Sequence, residues 1–329
     1  MKKIAFVLSL CAAAGCVLLT GCSKSKNAAT QSGNSADSSA ASGASDNPVE
    51  MKIKWEVGKK YVMRMELNQG MEMNLPNRPE PMKTEVKLAQ DFNISAIKDL
   101  DNGGKQLQLE FENETMDVSQ GGRSVLSFDA SQSPAQDTNN PAAPVLRAMI
   151  GARIQYFTDA NGKVEKMEGV DELMNRIAAT GKPQQQAMFK QMFSEDTLKQ
   201  YGSFSDSMPN RIVKIGESWP VKRDIASAIG VLTVDMKYTF KNWEQHGDRK
   251  CAHVEDTGDL TSKGVSTATG AAIEIQKGKI TGDFWFDPEL GVIVDANVNQ
   301  DMTMKITTRQ QAFTQQVNQK IRVSLVDVE

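Results

Sequence analysis

Beyond residue 48 the dominant pattern is an apolar residue at every second position. Ile53, Trp55 and Val57 lead to a break at Gly58. Tyr61, Met63, Met65 and Leu67 then share one side, with Arg64 and Glu66 on the other. Successive side chains of a strand point to opposite faces, so this alternation predicts half-buried strands. Val86, Leu88, Phe92 and Ile94 repeat it, as do Leu107, Leu109 and Phe111 after Asp101-Asn102-Gly103-Gly104, a stretch suited to a tight turn. From residue 230 the pattern returns: Leu232, Val234, Met236, Tyr238 and Phe240 alternate with Thr233, Asp235, Lys237 and Thr239. Ile273, Ile275, Ile280, Phe284 and Phe286 follow. They run into Asp287-Pro288-Glu289-Leu290-Gly291, where proline fixes φ at the second turn position and glycine accepts a positive one. Val292, Val294, Met302, Met304, Ile306, Ile321, Val323 and Leu325 complete the predicted strands.

Between these halves the period lengthens. Over a helical segment at 144–203, Pro144 to Ile150 and Val170 to Ala179 carry helical spacing, with Val170, Leu173, Met174 and Ile177 on one stripe. Lys182 to Phe193 adds a third helix, and Ser194-Glu195-Asp196-Thr197 reads as the cap of a fourth. A Pro-, Gln- and Asn-rich stretch at 131–144, with Pro134, Pro141 and Pro144, reads as a long mobile loop. Strands, helices and strands in that order predict an α+β fold, mainly antiparallel β, in which the two strand-rich halves form one curved sheet packed on central helices. The body at 49–329 is expected to be one sheet-dominated domain rather than two subdomains.

The first 48 residues follow another logic. Lys2 and Lys3 precede an apolar run from Ile4 to Leu19, the arrangement of a secretory signal that is removed and does not span the membrane. Leu19-Thr20-Gly21-Cys22 resembles the bacterial lipobox. That resemblance implies a signal peptide at 1–21, cleavage between Gly21 and Cys22, and a diacylglycerol on the Cys22 thiol. Two or three acyl chains hold a protein firmly in a bilayer, since each buried methylene contributes about 0.8 kcal/mol. Ser23 is not the aspartate that retains enteric lipoproteins at the inner membrane, which implies an outer-membrane destination facing the periplasm. Residues 22–48 are almost wholly Ser, Ala, Gly, Asn, Asp, Gln and Lys, too polar to offset the entropy of ordering. They read as a disordered tether spanning roughly 25 to 30 Å.

Composition narrows the chemistry. With 38 basic and 41 acidic residues and no basic tract, nucleic acid is not an expected partner. Of four cysteines, Cys11 and Cys16 leave with the signal and Cys22 takes lipid. Cys251 is left alone, so no disulfide framework is available within one mature chain, and it reads as a buried strand residue. No later apolar run approaches the ~20 residues of a membrane helix.

Few motifs suggest a reaction, and no cofactor is expected. Asp159-Ala160-Asn161-Gly162-Lys163 opens like a calcium loop, but Val164 and Val170 stand where an EF-hand needs Gly and Glu; a hairpin turn accounts for it. Met63, Met65, Met71 and Met73 are weak candidates for Cu(I), whose soft ligands are thioethers, against the plainer expectation of core packing. Ser95-Ala96-Ile97-Lys98 matches Ser-x-x-Lys but ends a strand, and it has no Lys-Thr-Gly partner. His246 reads as an exposed turn residue, His253 as a half-buried strand residue.

Trp55-Glu56-Val57-Gly58-Lys59-Lys60-Tyr61, Phe157 to Val164, Glu168-Gly169-Val170 and Ile215-Gly216-Glu217-Ser218-Trp219 together resemble a lipoprotein family of unknown function. The resemblance implies architecture and no activity. The order of elements also looks like that of periplasmic carriers whose curved sheet holds lipid against helices, an analogy of fold alone. The leading expectation is a non-catalytic envelope lipoprotein, anchored through Cys22, whose β-rich body binds a protein partner or an apolar ligand. The alternatives are an envelope hydrolase and a methionine-based copper protein.

Overall fold

The alternating runs become fifteen strands in a computed structural model. It describes residues 47–76, 78–137, 140, 142–180, 198–199, 205–227, 230–262, 265–266, 272–308 and 311–329. The strands are β1 (Val49–Met51), β2 (Lys60–Asn74), β3 (Met82–Asp99), β4 (Lys105–Gln120), β5 (Arg123–Asp129), β6 (Arg153–Thr158), β7 (Val164–Glu168) and β8 (Arg211–Val213). They continue with β9 (Ser218–Ser227), β10 (Gly230–His246), β11 (Arg249–Ser262), β12 (Val265–Ser266), β13 (Ala272–Asp287), β14 (Val292–Thr307) and β15 (Ala312–Val328). Among the described residues the longer helices are α1 (Ala143–Met149) and α2 (Val170–Thr180).

Thirteen strands form one antiparallel sheet in the order β7-β6-β4-β3-β2-β15-β14-β13-β11-β10-β9, with β5 beside β4 and β12 beside β13; β1 pairs only with β8. The last strand therefore joins the two halves of the chain by lying between β2 and β14. Register is continuous enough to trace rows straight across the sheet. One row runs Trp219, Tyr238, Asp256, Gly282, Val298, Ile321, Leu67, Leu88 and Met116. The neighbouring row runs Val221, Met236, Gly258, Ile280, Gln300, Gln319, Gln69, Val86 and Val118. Both rows lie on the buried face. A slip of one residue in any strand would turn its apolar set outward, so the alternation fixes the register.

That buried face is concave. Ile94 of β3 and Met236 of β10 line the same cavity. Six strand intervals at about 4.8 Å would separate them by about 29 Å on a flat sheet, so the sheet must curl. Twist supplies part of the curl. Bulges at Asp91/Phe92, Phe240/Asn242 and Trp285/Phe286 sharpen it. Gly282 faces the carbonyl of Asn297 and the carboxyl of Asp256 so closely that a Cβ there would collide with both.

The expected α+β architecture is not observed: the fold is mainly antiparallel β. Among the described residues α1 and α2 reach seven and eleven residues and form no layer against the sheet. The physical reason is that the curled sheet buries its own apolar face, with one cluster taking in Val118 and Phe128 at one end and Val234 and Leu260 near the other. Little apolar surface is left for helices to cover. Those helices do occur where their period predicts, and Val145, Met149, Leu173 and Ile177 join a second cluster with Leu107, Leu109 and Phe111.

Two local expectations also change. Ile53, Trp55 and Val57 form no strand; the segment makes one backbone bond to β14's approach, Lys54 N donating to Gly291 O at 2.7 Å, and Trp55 packs edge-on against Tyr61 at 4.8 Å. Within the stretch at 131–144, Pro134–Asp137 is a 3-10 turn, and Arg147 of α1 gathers the surrounding chain, donating to Gln132 O at 2.7 Å and Ala130 O at 3.1 Å and pairing with Asp137. The signal peptide, the tether through residue 46, Cys22 and the predicted helix at 182–193 with its neighbour at 194–197 lie outside the described residues.

Candidate functional site

The concave face holds a cavity. Its walls come from β2, β3, β9, β10, β11, β13, β14 and β15, and Ile53, Trp55 and Ser207 lie across it from the irregular segments. The fold positions these segments with specific bonds. Trp219 Nε1 donates to Ser207 O at 2.9 Å, and Asn210 N donates to Met51 O at 3.0 Å, tying the 205–210 turn to β9 and β1. The lining is apolar for most of its extent: Met63, Phe92, Ile94, Met236, Ile280, Phe284, Val298 and Val323. The cavity has a volume of about 80 Å³. That is room for several waters or part of an acyl chain.

Arg223, Tyr238 and Asp256 interrupt the apolar wall from the inner face of the sheet. Arg223 and Asp256 are 4% and 5% exposed, and Tyr238 stands between their strands on β10. Burial pushes the Arg223 guanidinium below its ordinary range, while Tyr238, Asp206 and Asp256 act the other way. Burial first, and the Asp283 charge second, push the Asp256 carboxyl up to about 7, with Arg223 opposing. Burial likewise carries the Tyr238 phenol up to about 12. Near neutral pH the Asp256 carboxyl is therefore about half neutralised, while Arg223 has Asp206 as well as Asp256 for counter-charge. Asp283 borders the cavity too, but its register partners are Glu255 and Asn297, and Asn297 Nδ2 donates to it at 3.0 Å. It belongs to the opposite face from Asp256, which pairs with Gly282.

The residues singled out from the sequence lie elsewhere or serve the fold. Met63, Met65, Met71 and Met73 share the inner side of β2, but Met63 and Met65 pack in one cluster and Met71 and Met73 in another. Ten residues of strand separate the first from the last by about 33 Å, so the four sulfurs do not converge. Asp159 Oδ1 accepts from Asn161 N at 2.8 Å and Lys163 N at 2.9 Å, so the calcium-like sequence closes the β6–β7 hairpin. Cys251 is buried, its thiol pushed up to about 12, which keeps it protonated and unreactive. Ser95 and Lys98 end β3. His246 departs from the expected exposed turn: it ends β10, stacks on Trp285 at 4.3 Å and meets Asp295 Oδ2 at 3.1 Å. His253 stacks on the same indole at 4.9 Å. Sequence reading missed both this histidine–tryptophan group and the Arg223–Asp256 pair. The first is made by cross-strand register and the second by two rows of the sheet facing one cavity, neither of which a local pattern displays; an Arg at an inward position between apolar neighbours was the one available hint.

A family model matches residues 102–293, more than half of the chain. The chain belongs to DUF6263, a family of unknown function. Its matched region runs from the β3–β4 turn to the start of β14 and includes Arg223, Asp256 and most of the cavity wall. No curated protein matches. Among solved structures this DUF6263 chain is similar to lipovitellin, described for its lipid–protein interactions, with TM-score 0.47 and 10% identity over 84% of this chain and 26% of that one. It thus spans about a quarter of lipovitellin's length. A Bacteroides fragilis protein with a YmcC-like fold gives TM-score 0.26 and 8% identity over 85% of this chain and 99% of that one. Both likenesses are too loose to inform the site.

Proposed function

We propose that this DUF6263 member is a non-catalytic envelope lipoprotein, anchored through Cys22 to the outer membrane and facing the periplasm, whose curled sheet binds an apolar ligand. The observation that carries the reading is the concave, largely apolar cavity walled by strands of both halves. Ligand sites are of this kind: concave, mostly apolar, with few polar groups. The lipobox at Leu19 to Cys22 supports the anchor. Metabolic labelling with palmitate should mark the wild-type chain and not Cys22→Ser. Extraction of the mature chain from residue 22 carrying Cys22→Ser, followed by mass spectrometry, should release a non-covalent apolar compound. Absence of label removes the anchor, and an empty chain that takes up no added acyl compound removes the ligand.

Asp256 favours a second reading, an envelope hydrolase. A carboxyl held near 7 in a cleft suits a general acid. Paired-carboxylate hydrolysis needs a second acid on the same side, and Asp283 lies on the other face. Turnover of ester or glycoside reporters that disappears in Asp256→Asn would support the hydrolase against the binding protein.

A further inference from the structure

Asp256 carries an acceptor that the fold leaves unmet. Its side chain lines the cavity, 5% exposed, and among the described residues its Oδ1 is buried with no hydrogen-bond partner. Native structures leave few such atoms, because a buried polar group without a partner loses the solvation it had in water. Tyr238 on β10 and Gly282 on β13 are its register partners, and Asp283 belongs to the opposite face. Arg223, whose counter-charge includes Asp206, sits on a row four residues away along β10, about 13 Å by strand rise. Gly282 gives the carboxyl its room: a Cβ there would stand 2.9 Å from Oδ2 and 3.1 Å from Oδ1. The sheet thus accommodates an acid that it does not pair.

The chemistry of that oxygen selects among head groups. A carboxylate offers acceptors alone and repels the acid's own charge. An ammonium brings three donors and a full charge to a spot where burial disfavours charge, the main reason that the carboxyl rises to about 7. A hydroxyl both donates and accepts, so it pairs with the ionised acid in one sense and with the neutral acid in the other. Both forms are present near neutrality.

We infer that the cavity takes an apolar molecule ending in an uncharged hydroxyl, the hydroxyl on Asp256 Oδ1 and the aliphatic part on Ile280, Phe284, Val298 and Val323. This rests on the apolar-ligand reading above and adds the polar end of the ligand.

Calorimetric titration of the mature chain carrying Cys22→Ser, with 1-hexanol, hexyl methyl ether, hexylamine and hexanoate, tests it. At pH 8 most of the carboxyl is ionised and an ether has no proton to give it, so hexanol should bind about tenfold more tightly than the ether. The gap should narrow at pH 6, where the neutral acid can donate to either compound. Asp256→Leu should erase the advantage of the alcohol, and Asp256→Asn, which keeps an acceptor and a donor, should retain part of it. Equal binding of alcohol and ether at pH 8 overturns the hydroxyl assignment while the apolar-ligand reading survives, and this comparison needs no variant to fold. Hexylamine or hexanoate binding more tightly than hexanol overturns the uncharged head group. No binding of any of the four overturns both readings.

Discussion

Glu114 on β4 and Asp256 on β11 are carboxyls buried on the same concave face, 2% and 5% exposed, and burial carries both up to about 7. Their surroundings differ. Glu114 sits in the wall formed by β3 and β4, where its partner across the strands is Gln90, whose Nε2 donates to Glu114 Oε2 at 3.1 Å. Asp256 borders the cavity, with Arg223 and Asp283 as charged neighbours. An acid in a filled wall answers only to the fold, whereas an acid beside a cation and open space can answer to a ligand. Burial and acidity alone do not mark a site; the space and the opposite charge do.

The packing side of the contrast gives the largest expected effect. Leu109 is 1% exposed on β4, between Ile94 and Ile154. Leu109→Ala should cost about 3 kcal/mol, because a full wall leaves a cavity that it cannot collapse. Val298 is 8% exposed and already borders empty space. Val298→Ala should cost only about 1 kcal/mol, since fewer contacts are lost. Urea midpoints at constant slope measure both; equal losses would mean that the cavity is closed in solution.

How much of this was legible follows from range. Alternation along β2, β3, β4, β10, β13, β14 and β15 is a local property, and it marked the strands and their buried sides. It went astray where a neighbour across the sheet decides. Thr233 reads as the outward counterpart of Val234, yet it is 8% exposed and donates to Asp224 Oδ1 at 2.6 Å. Gln69, Gln300 and Gln319 fall on the inward side of the alternation and are buried in one continuous row, although their polar side chains give the local pattern no apolar signal. Ile53 to Val57 alternates but has no strand to pair with, and so forms none. Layering was misjudged for the same reason, because the curl that let the sheet cover itself depends on thirteen strands acting together. The candidate site was invisible, since Arg223 and Asp256 reach one cavity only through the pairing of β9, β10 and β11, on rows four residues apart along β10.

Acid titration probes the contrast directly. The folded pKa of Glu114, about 7, lies above its ordinary 4.5, so the native state binds that proton more tightly than the unfolded chain. The resulting stability is fully present below about pH 4.5 and is lost as pH rises to about 7. The loss amounts to about 3 kcal/mol, at ~1.4 kcal/mol per tenfold change in proton affinity. Glu114→Gln keeps a carboxamide facing Gln90 and has nothing to ionise. It should match the wild type at pH 4 and exceed it by about 3 kcal/mol at pH 8, read from urea unfolding at the two pH values. An identical pH dependence in both would mean that Glu114 reaches solvent.

Asp256→Asn should follow the same course, since its carboxyl rises from 3.8 to about 7, but its effect should depend on Arg223 as well. The sign of the linkage is the same: the wild type loses stability between about pH 4 and 7, and the variant should not lose that share. Removing the acid also removes a negative neighbour of Arg223, whose own burial is offset in part by Asp256. That attraction is already contained in the value of about 7, so the gain of the variant at pH 8 should be comparable with that of Glu114→Gln. At pH 4, where the wild-type carboxyl is largely neutral, the substitution should be nearly silent. In an Arg223→Met background the carboxyl loses the cation that opposes its rise, so Asp256→Asn should gain more at pH 8 than it does in the wild type. A double-mutant cycle with no coupling would show that the two side chains do not share one electrostatic site, and the contrast between the filled wall and the cavity would then reduce to packing alone.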